Sequence, residues 1–237
     1  MIPWCNRIDN GIEVDDEKCP LAANVHGQDC PIHGSAFQSL WDVDDHQTDR
    51  VRLRLTGAGP APFRYDAEMA FALDGANLTV DLTVRNRADR TLPYGIGLHP
   101  WLPRDPDACL TARADRVQIT DARQLPVRTA QLGEHPNWDF TKPAALPDDL
   151  IDNSFGGWDG RARLDWPAKG VSLEIGTEPR LGWFQIYSPG PSTGFVCVEP
   201  CSHPVDAHNE PGHPDLWQLA PGQSTSQRFW FRPERTK

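Results

Sequence analysis

Residues 63–84 read Phe63-Arg64-Tyr65-Asp66-Ala67-Glu68-Met69-Ala70-Phe71-Ala72-Leu73-Asp74-Gly75-Ala76-Asn77-Leu78-Thr79-Val80-Asp81-Leu82-Thr83-Val84. Phe63, Tyr65, Ala67, Met69, Phe71 and Leu73 fall two apart, with mostly polar residues between them. Leu78, Val80, Leu82 and Val84 repeat that spacing. A β-strand turns successive side chains to opposite faces, so each run has one face for a core and one for water. The stretch Asp74-Gly75-Ala76-Asn77 between them is turn chemistry, and residues 63–84 predict a β-hairpin.

The same pattern recurs along the chain. Val51, Leu53 and Leu55 alternate with Arg52 and Arg54, and Val171, Leu173 and Ile175 form another short alternating run. Residues 184–187, 195–199 and 227–231 read as later strands. Twenty-three prolines and nineteen glycines punctuate the chain at short intervals, which suits turns and interrupts helices. No amphipathic helix of three turns is legible. The reading is all-β, a large antiparallel β-sandwich in one domain over residues 1–237, rather than alternating βα units. Residues 122–153, with Pro126, Pro136, Pro143 and Pro147, show weak periodicity and are expected to form a long irregular connection.

Bulk properties narrow the function. A chain of 237 residues can bury a sizeable core. Mean hydropathy is −0.55, and no run approaches the roughly 18 apolar residues of a membrane helix. The opening MIPWCNRIDN shows no basic segment followed by an apolar one, so a cytoplasmic protein is expected. Its six cysteines are then expected as reduced thiols rather than disulfides. A net charge of −10 argues against a nucleic-acid partner, whose phosphates need a basic face. No phosphate-cradling glycine loop and no Gly-x-Ser-x-Gly elbow is present.

Several residues have the chemistry of a site. Glu199 ends an apolar strand just before Pro200. Alternation sets Phe195, Cys197 and Glu199 on one face and Val196 and Val198 on the other. If the valines face the core, Glu199 faces an open surface or cleft. A carboxylate among apolar neighbours loses hydration and takes a proton more readily, which suits a general base. The bland alternative is a solvated Glu at a strand end. His99 sits in Gly95-Ile96-Gly97-Leu98-His99-Pro100-Trp101, and imidazole is the side chain most easily tuned to exchange protons near neutrality. A buried structural His is the alternative there. His33-Gly34 reads similarly, and His26-Gly27 could equally be the meaningful pair.

Arg7 presents a rigid fork of donors for hydroxyls or a carboxylate. Asp152-Asn153 supplies acceptors for hydroxyls, or is a plain turn. Among nine tryptophans, Trp41, Trp101 and Trp183 are candidates to line a pocket, though most tryptophans serve in a core or at its rim. His203, His208 and His213 recur every five residues beside Asp206 and Glu210. That spacing matches no standard zinc pattern, so no metal is expected.

Taken in order, these motifs resemble the aldose 1-epimerase (galactose mutarotase) family. The likeness runs through Asn6-Arg7-Ile8, Asn24, His33-Gly34 ahead of Trp41, Gly97-Leu98-His99-Pro100-Trp101, Asp152-Asn153-Ser154-Phe155 and the strand ending in Glu199-Pro200. It closes on Leu219-Ala220-Pro221-Gly222-Gln223. Each motif is short, and the ordered co-occurrence over nearly the whole chain is the specific signal. The resemblance implies a galactose mutarotase-like sandwich with a sugar cleft on one sheet. It implies Glu199 as general base and His99 as general acid. Arg7, His33 and Asp152 would bind or orient the sugar, with no cofactor. The partner implied is a small-molecule sugar, bound by a monomer or homodimer. Two features depart from the family. Several strands usually precede the Asn-Arg-Ile motif, which begins here at residue 6, so some N-terminal strands are expected to be lacking. One glycine follows His33 where galactose-specific members tend to have two. The alternatives are a hexose-6-phosphate mutarotase, for which Arg52, Arg54 and Arg64 are the available cations, and a noncatalytic carbohydrate-binding sandwich.

Overall fold

The computed structural model describes residues 1–236. Strands dominate, and the helical segments among the described residues are single three-residue 3-10 turns. No helix is long and apolar enough to cross a membrane. Neighbouring strands pair antiparallel, as Trp183–Ser188 does with Ile151–Gly156 on one side and Phe195–Cys201 on the other. All six cysteines are free thiols.

The chain divides into two compact units. The first comprises Met1–Leu73, Thr79–Gly97 and Ser202–Arg228. The strands Asp42–His46, Arg50–Ala58, Tyr65–Asp74 and Asn77–Asn86 follow one another as neighbours in its sheet. The predicted hairpin is therefore present. Its turn is Gly75-Ala76, and Gly75 takes the left-handed φ of 59° that the two-residue reversal uses. Two small antiparallel pairs complete the unit, Ile12–Val14 with Glu17–Cys19 and Leu92–Tyr94 with Trp217–Leu219. An aromatic cluster of Trp4, Phe63, Tyr94 and His208 lies in its interior.

The second unit comprises Asp74–Leu78, Leu98–Cys201 and Phe229–Lys237. It holds a six-stranded sheet in the order Pro126–Gln131, Arg116–Thr120, Ile151–Gly156, Trp183–Ser188, Phe195–Cys201, Trp101–Pro103. Ala144–Ala145, Cys109–Ala112, Arg161–Trp166 and Val171–Glu178 form the other layer, again in that order. Phe155 and Phe184, cross-strand neighbours in the six-stranded sheet, stack at 5.1 Å, with Phe140 and Trp158 against them. Val117, Ile151, Ile186, Val196 and Val198 are buried on the same side of the six-stranded sheet. Each such aliphatic chain contributes roughly 1.5–3 kcal/mol by leaving water. The polar face of this sheet carries the candidate site.

The structure corrects the expected connection over residues 122–153. That stretch contains the strands Pro126–Gln131 and Ala144–Ala145 and two 3-10 turns, and it runs into the strand Ile151–Gly156. Pro126 begins an edge strand, a place where a missing N–H is tolerated. Asp152 and Asn153 are thus not turn residues but buried members of a central strand.

Candidate active site

The site starts from strand Phe195–Cys201. Val196 and Val198 are buried toward the other layer, so Cys197 and Glu199 project from the opposite face. Glu199 is only 1% exposed, so it is not the solvated strand-end carboxylate that the local sequence allowed. Pairing with Trp183–Ser188 sets Gln185 opposite Glu199 and Tyr187 opposite Cys197. Ile151–Gly156 pairs on the far side, with Asp152 opposite Tyr187 and Ser154 opposite Gln185. On the other flank Trp101 stands opposite Cys197. Four strands therefore bring Asp152, Gln185, Tyr187, Cys197, Glu199 and Trp101 to one face.

His99 arrives from the segment that leads into the edge strand. The Leu98 N–H donates to the Pro200 carbonyl at 3.2 Å, and Trp101 pairs with Cys197. Held at both ends, His99 places Nε2 3.3 Å from Glu199 Oε1. Its ring stacks on Trp101 at 5.7 Å between centroids, 16° from parallel. Burial pushes the His99 pKa from 6.5 down to about 4. The carboxylate beside it works the other way, since an anion at this range favours the imidazolium. The two groups are best described as a pair that shares protons. Burial pushes the Cys197 thiol well above its usual range, reinforced by Glu199 and Asp152, so Cys197 is a neutral thiol.

Gln185, which sequence reasoning did not single out, stands opposite Glu199 in the strand pair and bonds to Asp152. Its Nε2 donates to Asp152 Oδ1 at 2.9 Å, while its Oε1 is buried without a hydrogen-bond partner. Tyr187 was likewise missed. The local run 184–187 alternates, so period two places Gln185 and Tyr187 on one face; only strand register shows that the face is that of Glu199. Trp183 lies on this same face beyond Gln185, nearly buried beneath the Arg116 guanidinium at 5.0 Å.

Arg7 and His33 come together in the first unit. The Asn6 N–H donates to His33 Nδ1 at 3.1 Å and the His33 N–H returns to the Asn6 carbonyl at 2.8 Å. His33 Nδ1 is thus an acceptor, which leaves Nε2 with the proton in the neutral ring. Arg7 is buried, its Nη1 donating to Asn6 Oδ1 at 3.1 Å and its Nε to Gln28 Oε1 at 3.4 Å. Asn24 holds the next turn by bonds to Ile32 and Gly34. Gly34 has φ +70°, and a Cβ there would run into the Ile2 carbonyl, so His33 must be followed by glycine. His26 is exposed on its loop; of the two candidate histidines, His33 is the one bonded to the Arg7 segment. Trp41, also in this unit, is half-buried and donates to the Ala36 carbonyl at 2.9 Å.

The donor atoms of His99, Cys197 and Glu199 lie within 4.8 Å of one another, close enough to share a cation. The series His203, His208 and His213 does not converge in this way among the described residues. His203 Nε2 accepts from the Cys5 N–H and its ring Nδ1 faces the Pro204 carbonyl, while His208 Nε2 faces the Pro93 carbonyl. These are structural roles.

The sequence profile described as Aldose 1-epimerase matches residues 1–232. The uncharacterised Escherichia coli K12 protein YphB is 31% identical over 242 residues, covering 99% of this chain and 82% of that protein. A second uncharacterised Escherichia coli K12 protein, YihR, is 25% identical over 222 residues, covering 88% of this chain and 70% of its own length. The crystal structure of a candidate aldose 1-epimerase from Escherichia coli K12 superposes with a TM-score of 0.93 at 30% identity over 99% of this chain and 82% of that one. A galactose mutarotase-like protein from Clostridium acetobutylicum shares the fold, with a TM-score of 0.84 at 17% identity over 98% of this chain and 78% of its own. With the profile spanning almost its full length and the architecture matching, this chain belongs to the aldose 1-epimerase family.

Proposed function

We propose that the protein interconverts the α and β anomers of a free hexose by acid–base ring opening, with Glu199 as general base and His99 as general acid. The observation that carries this reading is the 3.3 Å approach of His99 Nε2 to Glu199 Oε1 on one sheet face. In a cyclic sugar the hydroxyl O1 and the ring oxygen O5 are both bonded to C1. Two groups that must act on them together have to be neighbours, and these two are.

The steps follow from that placement. Glu199 takes the proton of the O1 hydroxyl while His99 protonates O5. The C1–O5 bond breaks and leaves an open-chain aldehyde. Rotation about C1–C2 presents the other carbonyl face, and closure with the proton roles reversed gives the other anomer. Each group contributes roughly 10²–10⁴-fold. Asp152, fixed by Gln185, is the acceptor for a sugar hydroxyl. Arg7 and His33 keep the sugar-orienting role that the family resemblance implies, and a rise in KM on substitution is its test.

The phosphorylated-sugar alternative needs unengaged cations. Of the three candidates, two are engaged, Arg52 Nε meeting Asp44 at 2.7 Å and Arg54 meeting Asp44 at 3.0 Å and Glu68 at 3.4 Å, while Arg64 is exposed and is the cation left to that reading. Polarimetry of freshly dissolved α-D-glucose and α-D-galactose tests the proposal. Accelerated relaxation of the rotation to its equilibrium value supports it, and relaxation at the buffer rate across both sugars rejects it.

A further inference from the structure

The site face holds one group that the acid–base reading leaves idle, the thiol of Cys197. It lies two residues before Glu199 on the strand Phe195–Cys201, with Trp101 opposite on one flank and Tyr187 on the other, and it is fully buried. Its sulfur, an imidazole nitrogen of His99 and a carboxylate oxygen of Glu199 all lie within 4.8 Å of one another. Among the described residues no other set of three histidine, cysteine or acidic side chains gathers its donor atoms in this way. All three residues belong to the second unit.

Thiolate, imidazole and carboxylate are the ligand types of zinc, held at about 2.3 Å through sulfur and about 2.0–2.2 Å through nitrogen and oxygen. At a tetrahedral angle such a nitrogen and oxygen stand roughly 3.4 Å apart, and His99 Nε2 is 3.3 Å from Glu199 Oε1. The pair is therefore spaced to share a zinc ion as well as a proton. A tetrahedral sulfur–nitrogen edge is roughly 3.6 Å, which leaves the thiol about 1 Å or less to close. The charges also balance. Two anions and a neutral imidazole around a divalent cation make a neutral centre, which suits a buried place, and Asp152 adds its negative field at Cys197. Sulfur and nitrogen ligands favour zinc over magnesium or calcium, which take oxygen. His99 is the way in, its side chain being 22% exposed against 2% for Glu199.

We infer that His99, Cys197 and Glu199 form a zinc site whose occupancy switches the acid–base pair off. The binding rests on the ligand geometry, and the loss of turnover rests on the epimerase reading. As the bonds from zinc to sulfur, nitrogen and oxygen form, the thiol proton and any proton held by the pair leave for solvent, and no electron changes hands. The ion then holds the lone pairs that proton transfer uses. Sugar and zinc exclude one another, because the sugar's O1 proton and the ion claim the same Glu199 carboxylate.

Titration of EDTA-treated protein with Zn²⁺, followed by calorimetry and by polarimetry on the sugar it turns over best, tests this. Stoichiometric binding is expected, with mutarotation falling about ten-fold or more at saturation and restored by EDTA. Half-inhibition should move to higher zinc as the sugar concentration rises, and Mg²⁺ should leave the rate unchanged. Cys197→Ser replaces a soft ligand by a poor one and should raise the zinc concentration for half-inhibition about ten-fold or more, read against the variant's own zinc-free rate. Co²⁺ in place of zinc reports the ligation without that substitution, as a near-ultraviolet thiolate-to-cobalt band in the wild type. If Cys197→Ser does not fold, loss of that band in Glu199→Gln takes its place. Absence of stoichiometric binding, binding without a thiolate band, or a rate unchanged or raised at zinc saturation overturns the inference and leaves the epimerase reading standing. If the EDTA-treated protein anomerises no sugar faster than buffer does, the epimerase reading falls and the switch with it, while calorimetry and the cobalt band still decide the metal site.

Discussion

Gln185 stands directly across the strand pair from Glu199 and donates its side-chain N–H to Asp152 Oδ1 at 2.9 Å. One amide thus ties Asp152, the proposed sugar-binding carboxylate, to the row that holds Glu199, the proposed base. Because the amide is 2% exposed, water cannot replace it when it is lost.

Gln185→Leu should therefore weaken sugar binding more than chemistry. Removing a hydrogen bond to a buried charged group costs roughly 1.5–3 kcal/mol. KM is expected to rise on the order of ten-fold or more, with kcat within a few-fold. Steady-state polarimetry over a range of sugar concentrations measures the split. A fall confined to kcat would contradict the positioning role.

The His99 imidazole makes stability depend on pH. Its pKa lies near 4 when folded, against 6.5 for the free side chain, because of burial. Between those values the unfolded chain binds the proton that the folded chain refuses. The contribution of neutral His99 is complete above about pH 6.5 and is lost as pH falls toward 4, a change on the order of 2 kcal/mol. Urea unfolding at pH 7.5 and 4.5 should show a smaller acid loss in His99→Gln than in the wild type. Equal losses would show that the imidazole is not held neutral.

Activity has its own pH signature. On the proposed mechanism turnover needs one proton on the His99–Glu199 pair, and the active form is the one that carries it on His99: with two protons there is no base, and with none no acid. The kcat/KM profile should be bell-shaped, with limbs that belong to the pair rather than to either residue. In Glu199→Gln the residual rate should lack the acid limb set by carboxylate protonation. A flat wild-type profile between pH 4 and 9 would rule out acid–base chemistry by these groups.

Gly34→Ala should destabilise the first unit. The φ of +70° disfavours any side chain, and a Cβ meets the Ile2 carbonyl backbone. The penalty exceeds about 1 kcal/mol, read as a lowered urea midpoint. A shift within experimental scatter would mean that the His33 turn is free to rearrange.

The local sequence was a good guide where one face of a strand is wet. The hairpin at 63–84 and the strand Arg50–Ala58 alternate because they are half exposed. It was a poor guide to Ile151–Gly156, whose six residues are all buried, so that no polar–apolar alternation marks them and Asp152-Asn153 looked like a turn. Pro126–Gln131 escaped for the opposite reason, being an edge strand mostly exposed on both faces. His99 and Glu199 were legible as motifs and chemistry. Their approach, and the place of Gln185 and Tyr187 beside them, depends on the register of strands far apart in sequence, which no local pattern encodes.

The most direct measurement is the mutarotation rate of Glu199→Gln beside the wild type, with circular dichroism to show an unchanged fold. The amide keeps the shape of the side chain but cannot take the O1 proton. The expected result is a loss of roughly 10²–10⁴-fold in kcat on whichever sugar the wild type turns over best. A folded variant that brings fresh sugar to rotational equilibrium at near wild-type speed would contradict the assignment of Glu199 as the base.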